Sequence, residues 1–258
     1  DANNNLVQKN TPNGDVVRYI YDALNRPTRE SNNSVAQINY TYDSCTNGIG
    51  QLCSVSRIGS STKNFIYTNR GLLSSDSTIL GIKNWANVYT YDYAGNMVQI
   101  KYPDNSSVRY TYNNSGQVVQ IERQDTPTGA WSNVISNITY NPLGQKEVVS
   151  YANVRTQTYT YDVTKQYQLS RNALDAPAGY TYPKFIDTLY TFSPSGNLTQ
   201  KTENFNLGNL QTFIYTYDGL SRLTGVTKTV NAPLTGYTES YTYNALGNII
   251  SKTGAGIY

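Results

Sequence analysis

Five aspartates stand at matching places along the chain and are the first residues to consider for acid–base chemistry: Asp22, Asp43, Asp92, Asp162 and Asp218. Two carboxyl groups at a set separation form the catalytic unit of most glycoside hydrolases. Each of these aspartates, however, directly follows the same recurring aromatic motif. Because repetition explains their presence better than catalysis does, we predict that they are turn residues.

The chain contains 25 Tyr but no His, and this excludes several kinds of active site. Ser-His-Asp and Cys-His mechanisms are ruled out, as is proton transfer by His. A zinc site is disfavoured because two cysteines do not complete a tetrahedral ligand set. The spacings of known Ca²⁺-binding loops are also missing. We therefore predict no enzyme, no catalytic residue, no metal and no cofactor.

Cys45 and Cys53, the only cysteines, flank a glycine-containing segment. Since both lie within one predicted hairpin, they can approach each other closely enough to form a disulfide that closes a long turn. The alternative is two free thiols in a loop. We predict the Cys45–Cys53 disulfide, which suits an oxidising setting and hence a secreted or cell-surface protein.

The element that positions these residues is an aromatic-x-aromatic triplet, or a close variant, which recurs ten times. Its last residue stands at positions 21, 42, 67, 91, 112, 140, 161, 192, 217 and 243, a mean step of about 25 residues (222 positions over nine steps). The tyrosines that define the repeat are Tyr19, Tyr21, Tyr40, Tyr42, Tyr67, Tyr89, Tyr91, Tyr110, Tyr112, Tyr140, Tyr159, Tyr161, Tyr190, Tyr215, Tyr217, Tyr241 and Tyr243.

Each triplet is followed by a turn signal. An Asp, Asn, Ser or Thr comes next, and six copies carry a glycine four residues after the triplet: Gly71, Gly95, Gly116, Gly144, Gly196 and Gly247. An apolar residue usually follows two positions later. The glycine is missing after Tyr42 and Tyr161, and we predict lengthened turns at those two places.

These patterns predict an all-β fold of tandem hairpins. Residues i and i+2 of a strand share one face, so each triplet places two rings on one side of a sheet and Thr or Ile on the other. About two strands per repeat give roughly twenty strands, more than a twisted open sheet holds without curling. We predict a curled, spiral antiparallel sheet that forms part of a shell or barrel.

We predict that residues 1–258 form one continuous array of about ten repeats and belong to a longer protein. Asp1 and Leu6 fit the register of a truncated eleventh copy. The formal charge of +3 is spread along the chain, so nucleic acid is not an expected partner. No stretch has the length and hydrophobicity of a membrane helix, and we expect no membrane insertion.

The tyrosines also raise the question of sugar binding, because an aromatic ring stacks on the apolar face of a sugar. The competing interpretation is that the rings pack within the array, and we favour packing. Trp85 and Trp131 stand outside the triplets. We predict that both tryptophans fill local hydrophobic gaps and do not bind ligands.

The repeat resembles the YD repeats of Rhs proteins, insecticidal-toxin components and teneurins, whose pattern is Tyr-x-Tyr-Asp-x-x-Gly-x-Leu. Residues 89–97, Tyr-Thr-Tyr-Asp-Tyr-Ala-Gly-Asn-Met, and residues 241–249, Tyr-Thr-Tyr-Asn-Ala-Leu-Gly-Asn-Ile, match it closely. The resemblance implies a hollow shell that encloses a C-terminal toxin domain or forms an adhesion barrel. The Asp-Pro-rich segment linked to self-cleavage and the toxin domain are missing here, so neither activity is assigned.

The expected function is therefore that of a non-catalytic shell segment whose partners are the remainder of the same polypeptide and an enclosed domain. The alternative is an extracellular adhesion or carbohydrate-binding module with glycans as partners.

Overall fold

The computed structural model describes residues 1–33, 36–175, 184–205, 209–231, 235–253 and 256–257. Within these ranges the chain consists of β-strands, tight turns and one short 3-10 helix. No helix among them has the length and hydrophobicity required to span a membrane.

Two compact units are present. Unit 1 comprises Asp1–Tyr112 and Glu122–Ser132, and unit 2 comprises Asn113–Ile121 and Asn133–Tyr258. Two strands begin in one unit and end in the other: β11 (Val118–Gln124) and β12 (Ser132–Tyr140).

Unit 1 is an antiparallel meander in which each strand pairs with the next one along the chain. Its strands are β1 (Gln8–Asn10), β2 (Val16–Tyr21), β3 (Pro27–Asn32), β4 (Ala36–Tyr42), β5 (Leu52–Arg57), β6 (Ser61–Tyr67), β7 (Leu73–Leu80), β8 (Lys83–Tyr91), β9 (Met97–Lys101) and β10 (Ser107–Tyr112).

Unit 2 continues the same antiparallel pattern from β12 to β22. Its further elements are β13 (Lys146–Tyr151), β14 (Thr156–Asp162), the 3-10 helix (Val163–Lys165), β15 (Gln168–Asp175), β16 (Lys184–Phe192), β17 (Leu198–Phe205), β18 (Asn209–Tyr217), β19 (Leu223–Val230), β20 (Tyr237–Tyr243), β21 (Ile249–Lys252) and β22 (Gly256–Ile257). The predicted all-β fold of antiparallel hairpin repeats is confirmed.

The three residues of each triplet alternate between the two faces of the sheet, as the two-residue period of a strand requires. In all ten copies the first and third residues are half-buried or buried and the middle residue is exposed. Ile20 is 44% exposed between two half-buried tyrosines, for example. We call the side that carries the first and third residues of the triplets the tyrosine face.

A β-bulge lies at the last residue of the triplet in the nine repeats whose pairing is described. In the first repeat Ile20 pairs with Arg29, but Tyr21 pairs with Pro27, so one residue of the partner strand is left unpaired. A bulge increases the local twist of a strand pair. The repeat therefore builds twist into every hairpin at one fixed place.

Few side chains are fully enclosed. The buried apolar residues among those described are Cys53, Ile138, Val149, Ala173 and Val226. Ile138 pairs with Val149, and Val226 pairs with Tyr215, so these three lie on the tyrosine face. Three of the buried apolar residues of unit 2 thus lie on the same side of the sheet as the rings of the triplets.

Candidate functional site

The residue that follows each triplet organises a turn with its side chain. Asp22 Oδ1 accepts hydrogen bonds from the backbone N–H groups of Leu24 and Arg26, at 2.9 and 3.0 Å. The turn then closes at a residue with positive φ, which is Asn25 in this copy and a glycine such as Gly95 (φ 90°) in others. Glycine is favoured there because it adopts this conformation without a steric penalty.

The five aspartates are turn residues in the structure. Asp22 and Asp218 have pKa values below the ordinary range, chiefly because of backbone hydrogen bonds from Arg26 and Arg222. The pKa values of the other three are also lowered, mainly by side-chain hydrogen bonds: Asp43 from Arg26, Asp92 from Asn96 and Asp162 from Thr164. A general acid at neutral pH needs a raised pKa, which none of these carboxyl groups has.

The third residue of the triplet connects its repeat to the preceding one. The Tyr42 hydroxyl donates to the backbone carbonyl of Pro27 at 3.0 Å, and Pro27 is the residue that pairs with Tyr21 at the bulge of the preceding repeat. We call this bond the tyrosine tether.

The tether is formed in nine of the ten copies. The donor and acceptor pairs are Tyr21–Leu6, Tyr42–Pro27, Tyr67–Leu52, Tyr91–Leu73, Tyr112–Met97, Tyr140–Val118, Tyr161–Lys146, Tyr217–Leu198 and Tyr243–Leu223, at 2.6 to 3.0 Å. In the tenth copy the residue is Phe192, which has no hydroxyl group. The tether explains why tyrosine and not phenylalanine occupies this position.

The first residue of the triplet lies next to charged groups in unit 1. Tyr89 donates to Asp76 Oδ1 at 2.6 Å, and Lys63 Nζ lies 2.9 Å from Asp76 Oδ2. Burial and this hydrogen bond raise the pKa of Tyr89 to about 12. Burial alone would raise the pKa of Asp76, but hydrogen bonds from Tyr89, Lys63 and Asn87 outweigh it and lower the pKa. In this cluster the buried carboxylate of Asp76 is hydrogen-bonded and is neutralised by the half-exposed ammonium group of Lys63.

Successive turns are also joined through side chains. Arg26 bonds its own turn residue, Asp22, at 2.8 Å and the next one, Asp43, at 2.6 Å. Its guanidinium lies 4.4 Å from the ring centroid of Tyr42. Arg222 repeats the pattern, with Asp218 at 2.7 Å and the Tyr243 ring at 4.7 Å. This link was missing from the sequence prediction, although an arginine five residues after the triplet is its signal.

The disulfide between Cys45 and Cys53 is present in the structure. Gly48 lies against it: a Cβ at this residue would come within 2.3 Å of Cys45 Sγ and 2.7 Å of Cys53 Sγ. The closed turn reaches the next repeat, because the Thr46 carbonyl accepts from Tyr67 N–H at 3.2 Å and Asn47 Nδ2 donates to the Tyr67 carbonyl at 2.9 Å.

The second lengthened turn follows Tyr161 and contains no disulfide. Asp162 Oδ1 accepts from the backbone N–H of Thr164 at 2.9 Å and so caps the 3-10 helix. Gln166 and Tyr167 adopt positive φ (both 56°) and return the chain to β15. Lys165 Nζ donates to the carbonyl of Phe192 at 3.1 Å.

The predicted residues do not converge on one catalytic centre. The six predicted glycines and the aspartates lie in separate turns, and the tyrosines lie along the tyrosine face. No three His, Cys, Asp or Glu side chains of the described ranges come together as metal ligands. Trp131 is covered by Arg109, whose guanidinium lies 4.4 Å from the ring and pairs with Glu122.

Part of the chain matches a known sequence repeat. The sequence profile described as RHS repeat matches residues 1–34 and 91–126. No curated protein sequence matches the chain.

Solved structures share the fold at low sequence identity. The Tc holotoxin pore of Photorhabdus luminescens carrying the mutation TccC3-D651A is 15% identical over 97% of this chain, with a TM-score of 0.65. TcdB2-TccC3 without its hypervariable C-terminal region is 16% identical over 94%, with a TM-score of 0.63. This chain spans only 15% of the length of either protein. Residues 1–34 and 91–126 are thus similar to the RHS repeat, and the triplets, turns and tethers of the described residues repeat the same pattern along the chain.

Proposed function

We propose that this chain is a non-catalytic segment of an RHS-repeat wall that encloses a partner polypeptide. The observation that carries the proposal is the tyrosine tether. It repeats along both units and uses the aromatic side chains for cohesion between neighbouring hairpins. A surface evolved for catalysis would instead concentrate different functional groups at one place.

The use of the charged groups supports a structural role. The aspartates of the repeat accept hydrogen bonds within the turns, and their lowered pKa values keep these acceptors ionised. The buried carboxylate of Asp76 is neutralised by Lys63. Among the described side chains, no buried nitrogen or oxygen atom lacks a hydrogen-bond partner. These groups thus act as hydrogen-bond and ion-pair partners within the array, which suits a structural role.

We further propose that the array is continuous through residues 1–258, and that the wall works outside the cell or on its surface. The turn geometry extends to the start of the chain: Asp1 Oδ1 accepts from the backbone N–H groups of Asn3 and Asn5. Leu6 then accepts the tether of Tyr21. The disulfide supports an oxidising location.

The tyrosine face is the side we assign to the enclosed polypeptide. Its rings are half-buried and present apolar edges, and the hydroxyl groups that donate in the tethers keep lone pairs that can accept hydrogen bonds from a partner chain. The Tc proteins share the fold over nearly the whole of this chain, which supports the same kind of role here.

The test is a cryo-electron microscopy structure of the natural full-length polypeptide combined with limited proteolysis. We expect density for a second polypeptide segment against the tyrosine face and protection of that segment from protease. Replacing Tyr67, Tyr91 and Tyr112 together by Phe removes three tethers and should expose the segment. The matched control replaces the outward-facing Thr90 and Thr111 by Ser and should leave protection unchanged. A tyrosine face open to solvent in the full-length protein would refute the proposal.

A further inference from the structure

A cavity of about 670 Å³ opens in unit 1. It lies at the opposite end of the hairpins from the turns that follow the triplets. Trp85 and Tyr102 supply aromatic walls, and Asp104 and Arg123 supply charged groups. This volume lies in the range of small-molecule sites in proteins, which combine apolar walls with a few fixed polar groups. The cavity has no part in the tethers or turn links described above.

The two tryptophans differ in how their rings are used. Trp131 has the Arg109 guanidinium over its face, whereas no cation of the described ranges lies over Trp85. Trp85 is 41% exposed, and its indole N–H donates to none of the described residues. The sequence prediction that both tryptophans fill gaps therefore describes Trp131 better than Trp85.

The carboxylate in the cavity is held by a rigid turn. Tyr102 N–H donates to the Ser106 carbonyl at 2.8 Å, and Asn105 N–H donates to the Tyr102 carbonyl at 3.0 Å. Asp104 Oδ1 accepts from the backbone N–H and the hydroxyl of Ser106, at 2.9 and 2.7 Å. None of the other described residues donates to Asp104 Oδ2. One oxygen fixes the side chain, and the second remains open to a ligand.

Arg123 provides donors on the other side of the cavity. Its Nε lies 2.6 Å from Asp125 Oδ1, and one such contact uses only part of a guanidinium that carries five N–H groups. The lining thus contains one carboxylate, Asp104, and one guanidinium, which is paired with Asp125 outside the lining. This arrangement disfavours a phosphate, which Asp104 would repel, and it offers both an acceptor and donors to an uncharged ligand that carries hydroxyl groups.

We propose that this cavity binds a pyranose unit of an oligosaccharide. The apolar face of the sugar would lie on the Trp85 indole, and its hydroxyl groups would donate to Asp104 and accept from Arg123. Aromatic stacking together with charge-assisted hydrogen bonds to hydroxyl groups is the combination that selects a polyhydroxylated ring. The proposal rests on this cavity alone and does not depend on the wall function.

The test begins with an array of immobilised mono- to tetrasaccharides probed with the fluorescently labelled protein. The best-bound glycan is then titrated by calorimetry. We expect saturable binding that Trp85→Ala abolishes. Asp104→Asn keeps an acceptor for Ser106 but removes the negative charge, and it should weaken binding by about tenfold or more. Trp131→Phe is the matched control and should bind like the wild type.

Thermal unfolding of each variant separates loss of the site from loss of the fold. Hydrogen bonds from Ser106 lower the pKa of Asp104 in the folded protein, so we expect Asp104→Asn to fold with a slightly lower midpoint. The proposal is overturned if the wild type retains no glycan of the array. It is also overturned if Trp85→Ala binds as the wild type does, or if Asp104→Asn folds normally and keeps full affinity.

Discussion

Two turns are longer than the others, residues 43–51 in unit 1 and residues 162–168 in unit 2, and they are ordered by different means. The first is closed covalently by Cys45–Cys53 around Gly48. The second forms one turn of 3-10 helix capped by Asp162. Both begin with an aspartate whose carboxylate accepts backbone N–H groups, as in the shorter turns.

The two turns make equivalent contacts with the repeat that follows each of them. Asn47 Nδ2 reaches the carbonyl of Tyr67, and Lys165 Nζ reaches the carbonyl of Phe192, which are the last residues of the following triplets. This carbonyl is next to the bulge, where regular ladder pairing is interrupted. The repeat thus constrains the contact between neighbouring repeats, whereas the conformation of the intervening turn varies.

Removing the disulfide should have the largest effect in this comparison. For a loop of this length, replacing Cys45 and Cys53 by Ala should lower the free energy of unfolding by about 2.5 kcal/mol. Both tryptophans lie in unit 1, so their fluorescence in a urea titration reports on that unit. Dithiothreitol should destabilise the wild type similarly and leave the double variant unaffected. A wild type insensitive to the reductant would contradict the prediction.

Gly48→Ala should be the next most damaging change. Its new Cβ would overlap both sulfur atoms, and crowding of this kind costs roughly 1–3 kcal/mol. The penalty should be smaller in the variant without cysteines, because the sulfur atoms are then gone and only the backbone carbonyl of residue 45, at 3.0 Å, still crowds the new Cβ. A double-mutant cycle over Gly48 and the cysteine pair, followed by tryptophan fluorescence, measures this coupling. Equal penalties in both backgrounds would show that the glycine is needed for another reason.

Near the second turn, one tether can be removed at Tyr217 and a new one can be added at Phe192. Tyr217→Phe should lower the stability of unit 2 by about 1 kcal/mol, since it deletes one partly buried hydrogen bond. Phe192→Tyr should raise it by a similar or smaller amount, by bonding the carbonyl of Leu169, which pairs with Tyr161 at the preceding bulge. Hydrogen exchange of the β15 and β17 amides measures both. A neutral Tyr217→Phe would argue that the tethers are incidental.

Acidification should destabilise both turns, and its effect should be the smallest of the four. The pKa values of Asp43 and Asp162 are lowered by folding, so their contribution is complete above the ordinary carboxyl pKa and is lost as the pH falls through the folded value. The amide signals of Gly50 and Thr164 should therefore titrate with midpoints below the ordinary value in an NMR series. The turn with the disulfide should keep its remaining amide signals unchanged, whereas the 3-10 turn should not.

The hairpins were predictable because their chemistry is local. An aspartate that accepts from residues two and four positions later, followed by a residue with positive φ, is specified within about five residues of sequence. Period-two alternation of the triplet likewise follows from the strand itself. The same local reasoning predicted the two lengthened turns, because the glycine is missing in both. It also predicted that Cys45 lies close enough to Cys53 to form a disulfide.

The contacts between repeats could not be predicted in the same way. Tyr140 donates to Val118, which is 22 residues away, and that pairing depends on strand register and on the bulge. The stacking of Arg26 on Tyr42 and the burial of Asp76 beneath Tyr89 depend on register as well. The cavity beside Trp85 requires side chains from different hairpins, so its residues carried no common signal in the sequence.

The tethers have a mechanical consequence. Each one spans a single junction between neighbouring hairpins, so a load applied to the chain would be carried junction by junction, and failure of one would not release the rest. The junction at Phe192 lacks this hydroxyl bond and is held by the backbone pairing of β15 with β16 and by Lys165. An array built in this way keeps the neighbouring tethers intact when one of them is lost.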